Sequence, residues 1–216
     1  MGRITHVIFD LGQVLTLVDE TVAVRAMSAR TDWSDADINT AMFSPERKRP
    51  IETGSQTWNE FTEMIRAELD LDMDADEFTE TFLTVLTPNE PMFDLVRALA
   101  PRFKLGCCSN TSSPHWDEIR RSVPVTDLFG PRILSFEVGS MKPDKRIYRD
   151  LIKACAVDAE QIVFIDDNQP NVESAAATGI KALLFTSVSK LESDLHDLGI
   201  DYYFFCSFVV KAASFT

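Results

Sequence analysis

Four short stretches, far apart in the chain, hold the residues best suited to chemistry. Asp10 ends the apolar run "VIFD", Ser109 and Asn110 end "KLGCC", Lys142 lies in "GSMKPDKRIY", and Asp166 and Asp167 end "QIVFI". If the three carboxylates met about 4 Å apart, each pair would repel by roughly 4 kcal/mol at an effective dielectric near 20. A cation must then sit among them. Hard oxygen ligands without His or Cys favour Mg²⁺, which takes one or two carboxylates, keeps several waters and completes its shell with a substrate phosphate. A helix N-cap needs only one acid, so the Asp166–Asp167 pair exceeds what capping explains. Ser109 and the loop amides after it can donate to a phosphoryl oxygen. Lys142, just before Pro143 and an expected helix start, can supply a compensating positive charge.

These residues need a scaffold that brings them to one edge. The runs "THVIFD", "FKLGCCSN", "RILSF", "QIVFIDD" and "KALLF" read as buried strands separated by amphipathic helices. That pattern predicts an α/β fold with a doubly wound parallel sheet, in which ligands bind at the carboxyl ends of the strands. Asp10, Ser109, Asn110, Asp166 and Asp167 all fall at such ends. Roughly ninety residues separate the first two strands, far more than a crossover requires. Between Asp19 and Leu86, "DETVAVRAMSA", "SDADINTAMF", "TWNEFTEMIRAEL" and "DADEFTETFLTVL" carry apolar residues at three- and four-residue spacing. They predict an inserted helical bundle with Ser34 and Asp74 as N-caps and Trp58 and Phe61 in its core, followed by a core helix near Glu90 to Leu99.

Composition narrows the partners. The 216 residues are enough for one sizeable core, and 34 acidic against 21 basic residues give a formal charge of -13. Such a surface repels nucleic acid and anionic membrane. No apolar stretch is long enough to span a bilayer and no leader precedes "ITHVIFDL", so the cytoplasm is the expected compartment. Cys107, Cys108, Cys155 and Cys206 lack metal-ligand spacing and read as reduced thiols. The tail "DYYFFCSFVVKAASFT" is aromatic and β-prone, would tend to associate if exposed as a strand, and has no functional reading.

In order, "VIFDLGQVL", "CCSNTSSPH", "GSMKPDKRIY" and "VFIDDNQPNVESAAATGIKALLF" resemble the four motifs of the haloacid dehalogenase-like hydrolase superfamily. The likeness is to its glucose-1-phosphate and other sugar phosphatases and to the N-terminal phosphatase domain of epoxide hydrolases, and it spans about residues 4 to 200. It implies a Rossmann-like core at 1–16 and 88–216 and a mobile helical cap at 17–87 that excludes water and selects substrate. It also implies that Asp10 is a nucleophile forming an aspartyl phosphate, ready at neutral pH with an ordinary pKa near 4. Ser109 and Asn110 then bind substrate, Lys142 compensates charge and grips the phosphoryl group, and Asp10, the Gly12 carbonyl, Asp166 and Asp167 hold Mg²⁺. The implied substrate is a small phosphorylated metabolite.

Gly12 departs from the resemblance. Most phosphatases of the superfamily have an aspartate there, which protonates the leaving oxygen and later activates water. A general acid or base contributes about 10² to 10⁴, against an acceleration of up to about 10²¹ for phosphate-monoester hydrolysis, so its loss slows such an enzyme without abolishing it. A better leaving group could compensate, or another proton carrier, with His115 the best placed in sequence. Gln13 can orient water but cannot accept a proton, and His6 reads as structural. Two other readings stay open: a metal-independent 2-haloacid dehalogenase and a non-catalytic phosphate-binding protein.

Overall fold

The computed structural model describes residues 3–201, so the aromatic tail from 202 onward, with Cys206, lies outside the described residues. The chain enters through β1 (His6–Phe9) and β2 (Thr16–Val18) and passes through α1 (Glu20–Ser28), α2 (Asp35–Phe43), α3 (Pro45–Glu52), α4 (Trp58–Glu68) and α5 (Ala75–Leu83). It returns by β3 (Leu86–Pro88) to α6 (Pro91–Leu99), β4 (Lys104–Ser109), α7 (Ser113–Ser122), β5 (Phe129–Leu134) and α8 (Ser135–Val138). The remaining elements are α9 (Lys145–Cys155), β6 (Ile162–Asp166), α10 (Gln169–Ala176), β7 (Lys181–Leu184) and α11 (Val188–Asp197).

Five of these strands form a wholly parallel sheet in the order β5-β4-β1-β6-β7, the doubly wound arrangement expected from the apolar runs. Strand alternation sends successive side chains to opposite faces. Val7, Phe9, Cys107 and Ile165 pack on one side with Val96 and Leu99 of α6 and Trp116 and Ile119 of α7. Ile8, Cys108 and Phe164 pack on the other with Ile147, Tyr148 and Leu151 of α9. Helices cover both faces, which is why the strands are apolar throughout. Cys107, Cys108 and Cys155 are free and buried, and burial raises all three thiol pKa values.

The five helices between β2 and β3 have their own core, built around Ile38, Met42, Phe61, Phe78 and Phe82. Trp58 stacks on Phe61 with ring centres 5.3 Å apart and donates from Nε1 to Thr79 Oγ1 at 2.9 Å. Ser34 and Asp74 cap α2 and α5 by accepting from the backbone amides of Asp37 and Glu77. Helix α3 carries no apolar periodicity in "PERKRPIE" and contains Pro50, so the pattern of the sequence does not disclose it.

Strands β2 and β3 pair antiparallel, with Thr16 opposite Pro88 and Val18 opposite Leu86. The chain thus leaves for the bundle and returns through one two-stranded ribbon. Asn89 Nδ2 donates to the Val14 carbonyl at 2.7 Å, fastening the base of that ribbon to the core, and Thr16 Oγ1 donates to the Thr87 carbonyl at 3.1 Å, tying its two strands together. A second contact closes the other side. Gly54, just after α3, has φ +70°, and a Cβ on it would lie 2.3 Å from the Phe136 carbonyl oxygen in α8. Only glycine fits there, both for its backbone angle and for this approach.

Candidate active site

The register of the sheet brings the distant acids together. Phe9 lies opposite Cys107 and Ile165, and the Asp10 amide donates to the Ile165 carbonyl at 2.8 Å. Asp10 and Asp166 therefore leave the sheet at the same level, with Ser109 at the neighbouring strand end. One oxygen from each of Asp10, Asp166 and Asp167 falls within 4.8 Å of the others. Asp10 and Asp166 are buried and Asp167 is exposed.

Lys142 reaches into this group from the loop between α8 and α9. Its ammonium lies 2.8 Å from Asp10 Oδ2 and 2.6 Å from Asp166 Oδ2. Burial works against the charge on Lys142, but the two carboxylates more than compensate and hold its pKa above that of an ordinary lysine. Pro143 does not open the next helix as the sequence suggests. Asp144 caps α9 by accepting from the Arg146 amide, and the helix begins at Lys145.

Burial acts most strongly on Asp10. It raises the carboxyl pKa to about 6, with Lys142 opposing the rise and Asp166 adding to it. The ordinary value near 4 expected from the sequence is thereby corrected, since a carboxylate removed from water is less stable in its charged form. The Leu11 amide donates to Asp10 Oδ1 at 2.7 Å, and the Ser109 hydroxyl is hydrogen-bonded to the same carboxyl. The Thr111 amide, which the sequence leaves free for a ligand, instead donates to Ser135 Oγ at 2.9 Å.

Asp166 is more fully bound. It accepts from the Asn168 amide at 2.9 Å and from Asn171 Nδ2 at 3.0 and 3.2 Å, in addition to Lys142. Asn171 is a site residue that sequence reasoning missed. It stands five positions after Asp166, on the first turn of α10, and its carbonyl accepts from the buried Tyr148 hydroxyl at 2.9 Å. Asn110 does not present its amide to open space. Its Nδ2 donates to the Lys142 carbonyl and its Oδ1 accepts from the Lys142 amide.

Gly12 lies beside the cluster, and no hydrogen bond takes its carbonyl among the described residues. A Cβ there would meet only Val18 Cγ2, at 3.7 Å. A Cβ is tolerated there, so the backbone of the fold does not demand glycine at this position. Gln13 is tied to the Val18 carbonyl at 3.0 Å. His6 is buried at the opposite end of β1 with Nδ1 2.9 Å from Thr5 Oγ1. His115 does reach the site, but its ring stacks on Phe82 at 4.9 Å, and burial lowers its pKa to about 4. It is uncharged at neutral pH and cannot serve there as a proton donor.

Beside these residues opens a cavity of about 170 Å³ between core and bundle. Gly12, Ser109 and Asn110 border it from the core, and Glu20, Lys48 and Glu52 from the bundle.

The chain is similar to several known proteins. Over 90 residues the chain is 31% identical to the drimenol cyclase drtB of Aspergillus calidoustus, a match covering 42% of this chain and only 17% of that much longer protein. It is 26% identical to the sesquiterpene phosphatase astK of Aspergillus oryzae, covering 83% of this chain and 88% of that one. It is 22% identical to the D-ribitol-5-phosphate phosphatase of Bacteroides thetaiotaomicron, covering 82% and 90%. A crystal structure of the Bacteroides thetaiotaomicron HAD family enzyme bt-2542, in complex with magnesium and inorganic phosphate, superposes with a TM-score of 0.77 at 22% identity, covering 87% of this chain and 98% of the other. The haloacid dehalogenase-like hydrolase model matches residues 4–179, a span that includes Asp10, Ser109, Lys142, Asp166 and Asp167. The chain belongs to the haloacid dehalogenase-like hydrolase family.

Proposed function

We propose that this protein is a Mg²⁺-dependent phosphomonoesterase that hydrolyses a small phosphorylated metabolite, a sugar or sugar-alcohol phosphate, through an aspartyl phosphate on Asp10. The observation that carries the reading is the charge balance at the strand ends. Asp10, Asp166 and Asp167 bring three negative charges within 4.8 Å and Lys142 returns one positive charge, so a net charge of -2 is left to be met. A divalent cation fits that deficit and the all-oxygen donor set. Asp10, the Gly12 carbonyl, Asp166 and Asp167 would hold it, and when bound it would neutralise the phosphoryl oxygens.

The chain's own residues do the rest. Asp10 attacks phosphorus from the floor of the site. Ser109 donates to a phosphoryl oxygen, and Lys142 keeps its charge beside the developing anion. Asn110 acts by fixing the Lys142 backbone, and Asn171 by orienting Asp166. Residues 17–87 act as the cap and, among the described residues, 3–16 and 88–201 as the hydrolase core, so the cavity between them admits substrate when the two part. The phosphatase relatives support the reaction class, and the D-ribitol-5-phosphate phosphatase among them supports a sugar-type ester.

The test is phosphate release from p-nitrophenyl phosphate and a panel of sugar and polyol phosphates, with Mg²⁺ and then with EDTA. Turnover that EDTA removes and Mg²⁺ restores is the expected result. Halide release from a 2-haloacid without added metal would instead make the protein a dehalogenase. No turnover of any ester by a folded, metal-loaded protein would make it a phosphate binder.

A further inference from the structure

Phosphoester cleavage leaves an alkoxide that must be protonated, and the second half-reaction needs a water deprotonated. Asp10 attacks from the core side, so in-line displacement sends the leaving oxygen toward the bundle side of the cavity. The proton donor must be sought on that wall.

The candidates there are few. Lys48 Nζ lies 2.9 Å from Glu20 Oε1, so those two side chains occupy each other. Thr16 Oγ1 is spent on the Thr87 carbonyl, Gln13 on the Val18 carbonyl, and His115 is uncharged. Glu52, the last residue of α3, remains. It borders the same cavity as Gly12 and Ser109, and among the described residues its carboxyl has no hydrogen-bond or ion-pair partner.

We propose that Glu52 is the general acid and base of the reaction, a catalytic residue supplied by the bundle where Gly12 offers no side chain. This rests on the phosphatase reading above. In the first step the Asp10–phosphorus bond forms, the phosphorus–oxygen bond of the ester breaks, and the leaving oxygen takes the Glu52 proton to depart as an alcohol. In the second, Glu52 accepts a proton from water as the water oxygen bonds to phosphorus. The bond to Asp10 then breaks, inorganic phosphate leaves, and both carboxyl groups return to their starting states.

The surroundings of Glu52 suit this role. Burial raises its pKa, Lys48 and Lys142 oppose the rise, and Glu20 adds to it, so the protonated form persists to higher pH than in an exposed glutamate. The influence of Lys142 also places Glu52 within electrostatic reach of the Asp10 cluster.

The experiment compares wild type and Glu52→Gln, both with Mg²⁺, on p-nitrophenyl phosphate, whose leaving group needs no proton, and on an alkyl phosphate, whose leaving group does. Glu52→Gln is expected to lose about 10² to 10⁴ in kcat/KM on the alkyl ester and far less on the nitrophenyl ester. It is also expected to lose the alkaline limb of the alkyl-ester pH profile and to release one equivalent of nitrophenol in a burst before a slow steady state. Gly12→Asp, at a position where a Cβ makes only ordinary contact, should restore alkyl-ester turnover to the Glu52→Gln variant. An equal loss on both esters, with the wild-type pH profile and no burst, would overturn the assignment. In that case Asp10-dependent turnover by the wild type would leave the phosphatase reading standing, whereas a wild type inactive on both esters would overturn both.

Discussion

Asn110 and Lys142 are joined by two reciprocal hydrogen bonds, Nδ2 to carbonyl at 2.9 Å and amide to Oδ1 at 2.8 Å, so the residue after β4 fixes the backbone of the loop that delivers the lysine. Asn110→Ala removes both while leaving the Lys142 side chain intact. Turnover should fall by about 10²-fold, the scale of an ångström-sized misplacement. Steady-state kinetics alongside a melting curve would check this, and a folded variant with wild-type kcat would deny Asn110 its positioning role.

Lys142→Met should destabilise the metal-free protein by about 3–5 kcal/mol, because it leaves two buried carboxylates without their counter-charge. Mg²⁺ should recover part of that loss and stabilise the variant more than the wild type. Denaturant titrations in EDTA and in Mg²⁺ give the comparison. Equal midpoints for variant and wild type in EDTA would contradict the charge balance.

Asp10→Asn is expected to abolish turnover while preserving the fold. The carboxyl is disfavoured as an anion by its burial, so a neutral amide of similar shape is tolerated there. Wild-type turnover in the variant would mean that the nucleophile lies elsewhere.

The pH dependence of stability follows from the same group. A carboxyl whose folded pKa is raised from 3.8 to about 6 binds more protons when folded than when unfolded. Its contribution to stability is therefore lost as pH rises through that interval. The exposed Asp19 and Glu60, whose pKa values are lowered by hydrogen bonds, act in the opposite sense. Subtracting the Asp10→Asn profile from the wild-type profile isolates the contribution of Asp10. In EDTA the difference should fall between pH 4 and 6, and Mg²⁺ should flatten it. A flat difference in EDTA would refute the raised pKa.

The chemistry was legible where one short run carried both the strand and its terminal polar group. Asp10, Ser109 and Asp166 each follow an apolar stretch, and a parallel sheet in phase does the gathering. The helical insertion was legible wherever a helix hides one face, as in α4 and α5. What was hidden depends on contacts between segments. Strands β2 and β3 span three residues each and take their identity from each other. Asn171 lies in a polar helix start that any N-terminal turn would resemble. Glu52 ends a helix without apolar periodicity, and of the groups that act on it only Lys48 lies in the same helix, while Glu20 and Lys142 come from distant parts of the chain. The pKa of Asp10 was misjudged because burial depth is not written in residue type.

The paired ribbon of β2 and β3 makes both crossings into the bundle share a single axle. A turn of the bundle about it that lifted Gly54 from Phe136 would also draw the Phe82 ring off His115. A bulky residue at position 54 would press on the Phe136 carbonyl and hold that rim apart, leaving the cavity behind it open to solvent.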